Sequence, residues 1–385
     1  MFPKFFVMRY CVFVVLGIIF SLQAAFRSGD ATGRSLTDSI ATLYRKPLSA
    51  WPLPAIDSGV QWQEFAALPG VDTAYFTLME QPDVVLGKYL FFDPLLSGSN
   101  QISCSSCHNP QTSWADKLNT PIGHDHQTGR RNTLSLLNVS ERKTLFWDGR
   151  ATTLEEQALA PISAHDEMAM DARQLPAKLQ QYRGYRELFR AAYGSDTVTF
   201  HRITGALAAF QRTLTSRRSR FDRFLDGEYN RLTDQEIYGM HLFRTKARCM
   251  NCHHGPHFTD EDFHNIGLTY YQRKYEDLGR YLVTGNPDDV GKFRTPSLRD
   301  VMNTNPWMHN GLFDNITGVL NLYNSGMQMN SATPEQKAAD PLYPVTDPLM
   351  KKLDLSKAEI QALEAFLESI TATQYKMRRP ETLPR

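Results

Sequence analysis

Residues 104–108 read Cys104-Ser-Ser-Cys107-His108, and residues 249–253 read Cys249-Met-Asn-Cys252-His253. Two thiols three residues apart can add to the two vinyl groups of one haem. The histidine that follows then lies under the iron as its proximal ligand, so the pattern reads as c-type haem attachment. Zinc is the first alternative. A Cys-x-x-Cys zinc site needs a second ligand pair, and only the second motif is followed by further histidines, His254 and His257. A thioredoxin-like redox pair is the second alternative, but it needs a βαβ context that this sequence does not offer.

The surroundings of the motifs repeat as well. Gly87-Lys-Tyr-Leu90-Phe91 precedes the first pair and Gly239-Met-His-Leu242-Phe243 precedes the second. After each pair comes a helical stripe, Ile203, Leu207, Phe210 and Leu214 in one half, Ile360, Leu363, Phe366 and Ile370 in the other. Ser356 with Glu359, and Thr233 with Glu236, have capping-box spacing. Strand alternations are rare and short. The sequence therefore predicts a mostly α fold, two tandem cytochrome c-like haem domains with long loops. Residues 81–228 form the first domain and 229–385 the second, behind an extended lead-in over 26–80 that is rich in Pro, Ser, Ala and Gly.

Composition removes several other classes. The chain has 385 residues, a length that suits about two domains. Lys and Arg number 42 against 41 Asp and Glu, which leaves no basic surplus for nucleic acid. Aromatic residues at 11% argue against disorder. Residues 1–26 carry only Lys4 and Arg9 as charges around an apolar run from Tyr10 to Leu22, which holds the fifth cysteine, Cys11. That is a basic start and an apolar core of signal-peptide length. Gln23-Ala24-Ala25 is a poor cleavage site, so residues 1–25 read as a signal peptide or as an uncleaved anchor. Either one predicts a periplasmic body, tethered to the membrane in the second case.

The blocks LGKYLFFDP, SCSSCHNP, RRNT, FWDGR, LEEQALAPI, FRTPSL and NTNPWMHNG, from about Leu86 to Ile370, resemble those of the bacterial di-haem cytochrome c peroxidase family, which includes MauG-type enzymes. The resemblance implies a role for each matching position. His108 would be the proximal ligand of a peroxidatic haem and His253 that of an electron-transfer haem. His124 stands at the displaceable distal histidine of the peroxidases, and Glu167 at the catalytic carboxylate. Gln157 and Pro161 match distal-pocket positions, and Trp147 the tryptophan between the haems. Asn132, with the backbone oxygens of Thr304 and Pro306, matches a calcium site whose hard oxygen donors suit Ca²⁺.

Tyr323 is the departure from the ordinary peroxidases. They place a methionine there as distal ligand of the second haem, whereas the MauG-type branch places a tyrosine. A tyrosinate favours Fe(III) and methionine raises the potential. His124 points to one branch and Tyr323 to the other; Met327 and Met329 are rival ligands. Read by residue type alone, Tyr323, Trp147 and Trp307 would be core residues, and His124, His126 and Glu167 solvated ones. The resemblance implies an oxidoreductase with two covalent haem c groups and a calcium ion. It would reduce hydrogen peroxide with electrons from a small periplasmic cytochrome c or cupredoxin. The alternative is a MauG-like enzyme that oxidises residues of a partner protein, and a plain di-haem electron carrier is the third reading. Peroxidases of this family often form homodimers.

Overall fold

The computed structural model describes residues 36–327, 332–373 and 376–385. The signal or anchor segment, Cys11 and Met329 lie outside the described residues. The fold is mostly helical. Its only sheet among the described residues is the antiparallel pair β1 (Phe263–His264) and β2 (Phe293–Arg294). No helix of the described residues is long and apolar enough to cross a membrane.

Two equivalent helix crossings build the two halves. In the first, the Pro82–Phe92 helix packs on Phe200–Gln211; in the second, Asp234–Arg244 packs on Lys357–Ser369. A glycine sits at each crossing. A Cβ on Gly87 would lie 1.9 Å from the Ala206 carbonyl oxygen, and one on Gly239 would lie 1.9 Å from that of Ala362. An aromatic triad surrounds each crossing. Phe91 lies 5.6 Å from Trp114 and 5.2 Å from Phe210, and Phe243 lies 6.0 Å from Phe258 and 5.3 Å from Phe366. The eight residues of the two helical stripes are all buried. Both anticipated capping boxes form, at Thr233 with Glu236 and Ser356 with Glu359.

These glycines separate packing from helix propensity. Gly→Ala inside a helix ordinarily gains about 1 kcal/mol. Gly239→Ala is expected to lose about 2–3 kcal/mol instead, because the overpacked crossing must open. Denaturant unfolding of the variant measures this, and a rise in stability would exclude the close crossing.

The chain ends cross between the halves. Residues 36–44 are helical, and Ala41, Tyr44, Trp51 and Phe65 are buried in the second core. Arg244, 1% exposed, holds this lead-in: its Nη2 donates to the Pro52 carbonyl at 2.8 Å, Nη1 pairs with Glu64, and the guanidinium lies 5.2 Å from the Trp51 ring. The tail does the converse. Met377 is buried in the first core, and Arg385 Nη1 pairs at 2.7 Å with Asp93, which is fully buried and also accepts from the Tyr185 hydroxyl at 2.7 Å. The second half, predicted to end at 385, thus sends Met377 into the first core and Arg385 to Asp93 of the first half. The change of core falls between Leu214 and Phe221, ahead of the predicted boundary at 228. The reason is that Phe221 and Phe224 bury against the second set of aromatics.

Candidate functional site

Each Cys-x-x-Cys-His segment folds into one tight turn. The His108 amide donates to Cys104 O at 2.9 Å and the His253 amide to Cys249 O at 2.8 Å. Positions i, i+3 and i+4 of such a turn share a face, so two thiols and one imidazole point the same way. All four thiols are free. Burial pushes Cys104, Cys107 and Cys249 up to about 12 and also raises Cys252.

The two histidines are held alike. His108 Nδ1 lies 3.1 Å from the Trp114 carbonyl oxygen, and His253 Nδ1 lies 2.9 Å from that of Phe258. Burial lowers both pKa values and favours neutral rings. A neutral imidazole that donates Nδ1–H to a carbonyl keeps its Nε2 lone pair for a metal, the usual arrangement of a ligating histidine. The two orienting carbonyls belong to residues of the aromatic triads, so the core that closes each half also aims its histidine.

Both motifs open into one continuous cavity of about 1400 Å³, lined by Cys107, His108, Cys249, Cys252 and His253 among others. That exceeds the roughly 300–1,000 Å³ of a single small-ligand pocket. Buried polar atoms without protein partners line it as well: Arg142 Nη2, Arg248 Nε, His309 Nε2 and Asn310 Nδ2. A large apolar-walled space with free thiols, neutral histidines and unmatched donors fits haem groups bearing carboxylates. Zinc fits less well: among the described residues no further ligands group with the first thiol pair, and at the second, where Asp260 and His264 gather beside Cys252, both ring nitrogens of His264 are already taken by Asp347 and Asp260.

On the first side, the Leu154–Ser163 helix is capped by Thr153, which accepts from the Glu156 amide, and it carries Gln157 and Pro161 on one face. The turn after it is pinned by Glu167 N to Ala164 O at 3.1 Å and Met168 N to Pro161 O at 3.2 Å. Gln157, Pro161 and Glu167 all line the cavity. Burial raises the pKa of Glu167, Asp166 raises it further, and Arg150 opposes both. The Glu167 charge is felt by Cys104 and Cys107, which locates it on the first motif's side. His124 is not among the cavity-lining residues; its ring sits 5.5 Å from that of His165, and its amide donates to Glu167 O at 2.8 Å. His126 follows in the same turn.

On the second side, the Ile316–Asn324 helix brings Tyr323 to the cavity. Burial raises its pKa, and the nearby Cys252 and Cys249 raise it further. Met327, the rival ligand, is buried and does not line the cavity. His264 was not singled out in the sequence. Burial opposes its charge, but Asp347 at 2.6 Å and Asp260 at 2.9 Å outweigh that and push it up to about 12.

A polar relay joins the sides. Trp147 Nε1 donates to Asn132 O at 2.9 Å, and the Asn132 amide donates to His309 O at 2.7 Å. The His309 ring stacks on Phe293 at 3.7 Å. Arg131 binds Asp277 through two nitrogens, at 2.7 and 2.8 Å, and Asp148 at 2.5 Å. Asn132, Thr304 and Pro306 all line the cavity. The Asn132 side-chain nitrogen donates to Leu118 O and Asn119 O, which turns its oxygen away from those carbonyls.

A family model described as di-haem cytochrome c peroxidase matches residues 81–230. The methylamine utilization protein MauG of Methylophilus methylotrophus is 37% identical over 300 residues, 77% of this chain and 84% of the relative. Cytochrome c551 peroxidase of Nitrosomonas europaea is 37% identical over 299 residues, 77% of this chain and 81% of the relative. A crystal structure of a MauG-like protein associated with microbial copper homeostasis aligns with a TM-score of 0.68 and 31% identity, covering 82% of this chain and 95% of that one. The mostly helical fold, the paired Cys-x-x-Cys-His turns and these similarities make one conclusion: the chain is an oxidoreductase that belongs to the di-haem cytochrome c peroxidase family, which includes proteins named as peroxidases and proteins named MauG.

Proposed function

We propose that the chain reduces hydrogen peroxide to water at the first haem site, with electrons delivered through the second from a small periplasmic cytochrome c or cupredoxin. The observation that carries this reading is Glu167, a carboxyl in the cavity wall on the side of the first motif, with its pKa raised by burial. Cys104 and Cys107, and Cys249 and Cys252, would each hold one haem, which would supply an iron centre that exchanges electrons. His108 and His253, oriented by Trp114 O and Phe258 O, would be its protein ligands. Glu167 takes the proton from the nearer peroxide oxygen and returns it to the departing one, so the leaving group departs as water. Gln157 donates to peroxide beside it, and Pro161 keeps the wall apolar. His124, which does not line the cavity here, would close the site in the resting state. Trp147, whose Nε1 donates to Asn132 O, would serve the path between the sites, and Asn132 with the Thr304 and Pro306 carbonyls would hold a calcium ion.

Tyr323 favours a second reading, MauG-like oxidation of residues on a partner protein, because a tyrosinate favours ferric and higher states at the second site. Peroxide added to the diferric holoprotein, with and without reduced cytochrome c, separates the two. Sustained oxidation of the cytochrome is expected. A long-lived optical change with no use of the cytochrome would transfer the assignment to the second reading, and no response to peroxide would overturn both.

A further inference from the structure

We propose that His124, Asp125 and His165 bind one divalent ion of the zinc type, and that this ion clamps the His124 loop in the position seen here. The clamp rests on the reading of His124 as a displaceable ligand of the first haem; the ion site does not.

The ligand atoms of these three residues all lie within 4.8 Å of one another. His124 Nε2 is 3.5 Å from Asp125 Oδ2. Tetrahedral zinc with ligands at about 2.0–2.1 Å needs them about 3.4 Å apart, so this pair already spans one edge of the polyhedron. The His124 and His165 rings are perpendicular, with centroids 5.5 Å apart, so they do not stack, and the His165 ligand atom lies within 4.8 Å of the other two. Gln127 Nε2 lies 3.1 Å from His165 Nδ1 and orients the ring; with that amide turned over, its oxygen accepts from Nδ1–H and the Nε2 lone pair is left for an ion. Two imidazoles and one carboxylate select zinc or copper(II) over calcium or magnesium, and the exposed Asp125 and His165 leave room for a water as fourth ligand.

The loop is built to carry such a clamp. An isolated bridge between Ile122 and Thr128 closes its base, and the Gly123 amide donates to Gln127 O at 2.8 Å. Asp125 and His126 have φ of +52° and +57°, a left-handed pair that is costly without glycine. The loop also rests on the segment that carries Glu167: His124 N donates to Glu167 O, and a Cβ on Gly123 would lie 2.0 Å from Asp166 O. An ion shared between 124–125 and 165 therefore ties together the two segments beside the first distal site. While it is bound, the His124 imidazole is occupied and the site stays open to peroxide.

Zn²⁺ titration of tag-free, EDTA-treated holoprotein by calorimetry tests the site, with His165→Ala as the comparison. The wild type is expected to show one zinc per chain that the variant binds at least tenfold more weakly. Equal affinity in both, or no zinc in either, overturns the site. Electron paramagnetic resonance of the diferric protein tests the clamp. Zinc is expected to raise the high-spin fraction of the first haem in the wild type and to leave His165→Ala unchanged; binding without that shift overturns the clamp. His124→Gly without zinc separates the causes. If its first-haem spectrum equals that of the zinc-free wild type, the ligand reading of His124 has failed and the ion site stands on its own binding data.

Discussion

Glu167→Gln is expected to keep both haems and to lose peroxide turnover by about 10²–10⁴-fold, the usual weight of a positioned acid–base group. The substitution preserves shape and removes only the ability to take and return a proton. Haem content, read as the pyridine haemochrome, should equal that of the wild type, because the backbone hydrogen bonds that close the attachment turn do not involve Glu167. The pH profile makes the role specific. Burial first, then Asp166, raise the Glu167 pKa, against the pull of Arg150. The carboxyl therefore keeps its proton to a pH above the ordinary carboxylate range. Turnover by the wild type needs the ionised form to accept the first proton, so it should fall as pH drops through that raised value. The Gln variant should lack this limb. The same shift has a stability side: the folded state binds this proton more tightly than the unfolded one. Its contribution is present below the unfolded pKa and lost as pH rises through the folded value. Unimpaired turnover in the variant would remove Glu167 from the mechanism.

The haem turns, the duplication and the two stripe helices were legible because each is local in sequence. A Cys-x-x-Cys-His turn closes within five residues, and the stripes have helical spacing. The glycines at 87 and 239 were visible only as an echo; their function as crossing points appears once the Ala206 and Ala362 carbonyls are seen against them. What stayed hidden is long-range. Arg244 and Glu64 are 180 positions apart, and Asp93 and Arg385 are 292. No periodicity reports that a Pro-rich lead-in folds onto the second core or that the tail returns to the first. The orienting carbonyls of Trp114 and Phe258 were missed for a different reason. A backbone oxygen has no sequence signature, although an aromatic residue five or six positions after each histidine was there to be noticed. His264 was passed over because Asp347, one of its two carboxylate partners, lies 83 residues away.

Tyr323→Phe is expected to change the spectrum of the second haem and raise its midpoint potential by roughly 100 mV or more. For a one-electron couple each 59 mV is a tenfold change in preference, so this asks the tyrosinate to favour Fe(III) over Fe(II) by about fiftyfold or more, in line with an anionic oxygen donor. The physical case turns on the phenol's surroundings. Burial, with Cys252 and Cys249 nearby, pushes its pKa up, so the protein alone keeps it neutral. Only a cation facing it from within the cavity makes the phenolate the favoured form, and the residue lines that cavity on the side of the second motif. Phenylalanine keeps the ring and deletes the donor, so packing of the Ile316–Asn324 helix should survive. Met327→Leu is the matched control: Met327 is buried away from the cavity, and its replacement should leave the second haem unaltered. The reverse pattern, an unchanged spectrum in Tyr323→Phe and an altered one in Met327→Leu, would give the ligand position to the methionine. The second site would then be a high-potential electron relay, and the case for oxidising a partner protein would lose its only residue-level support.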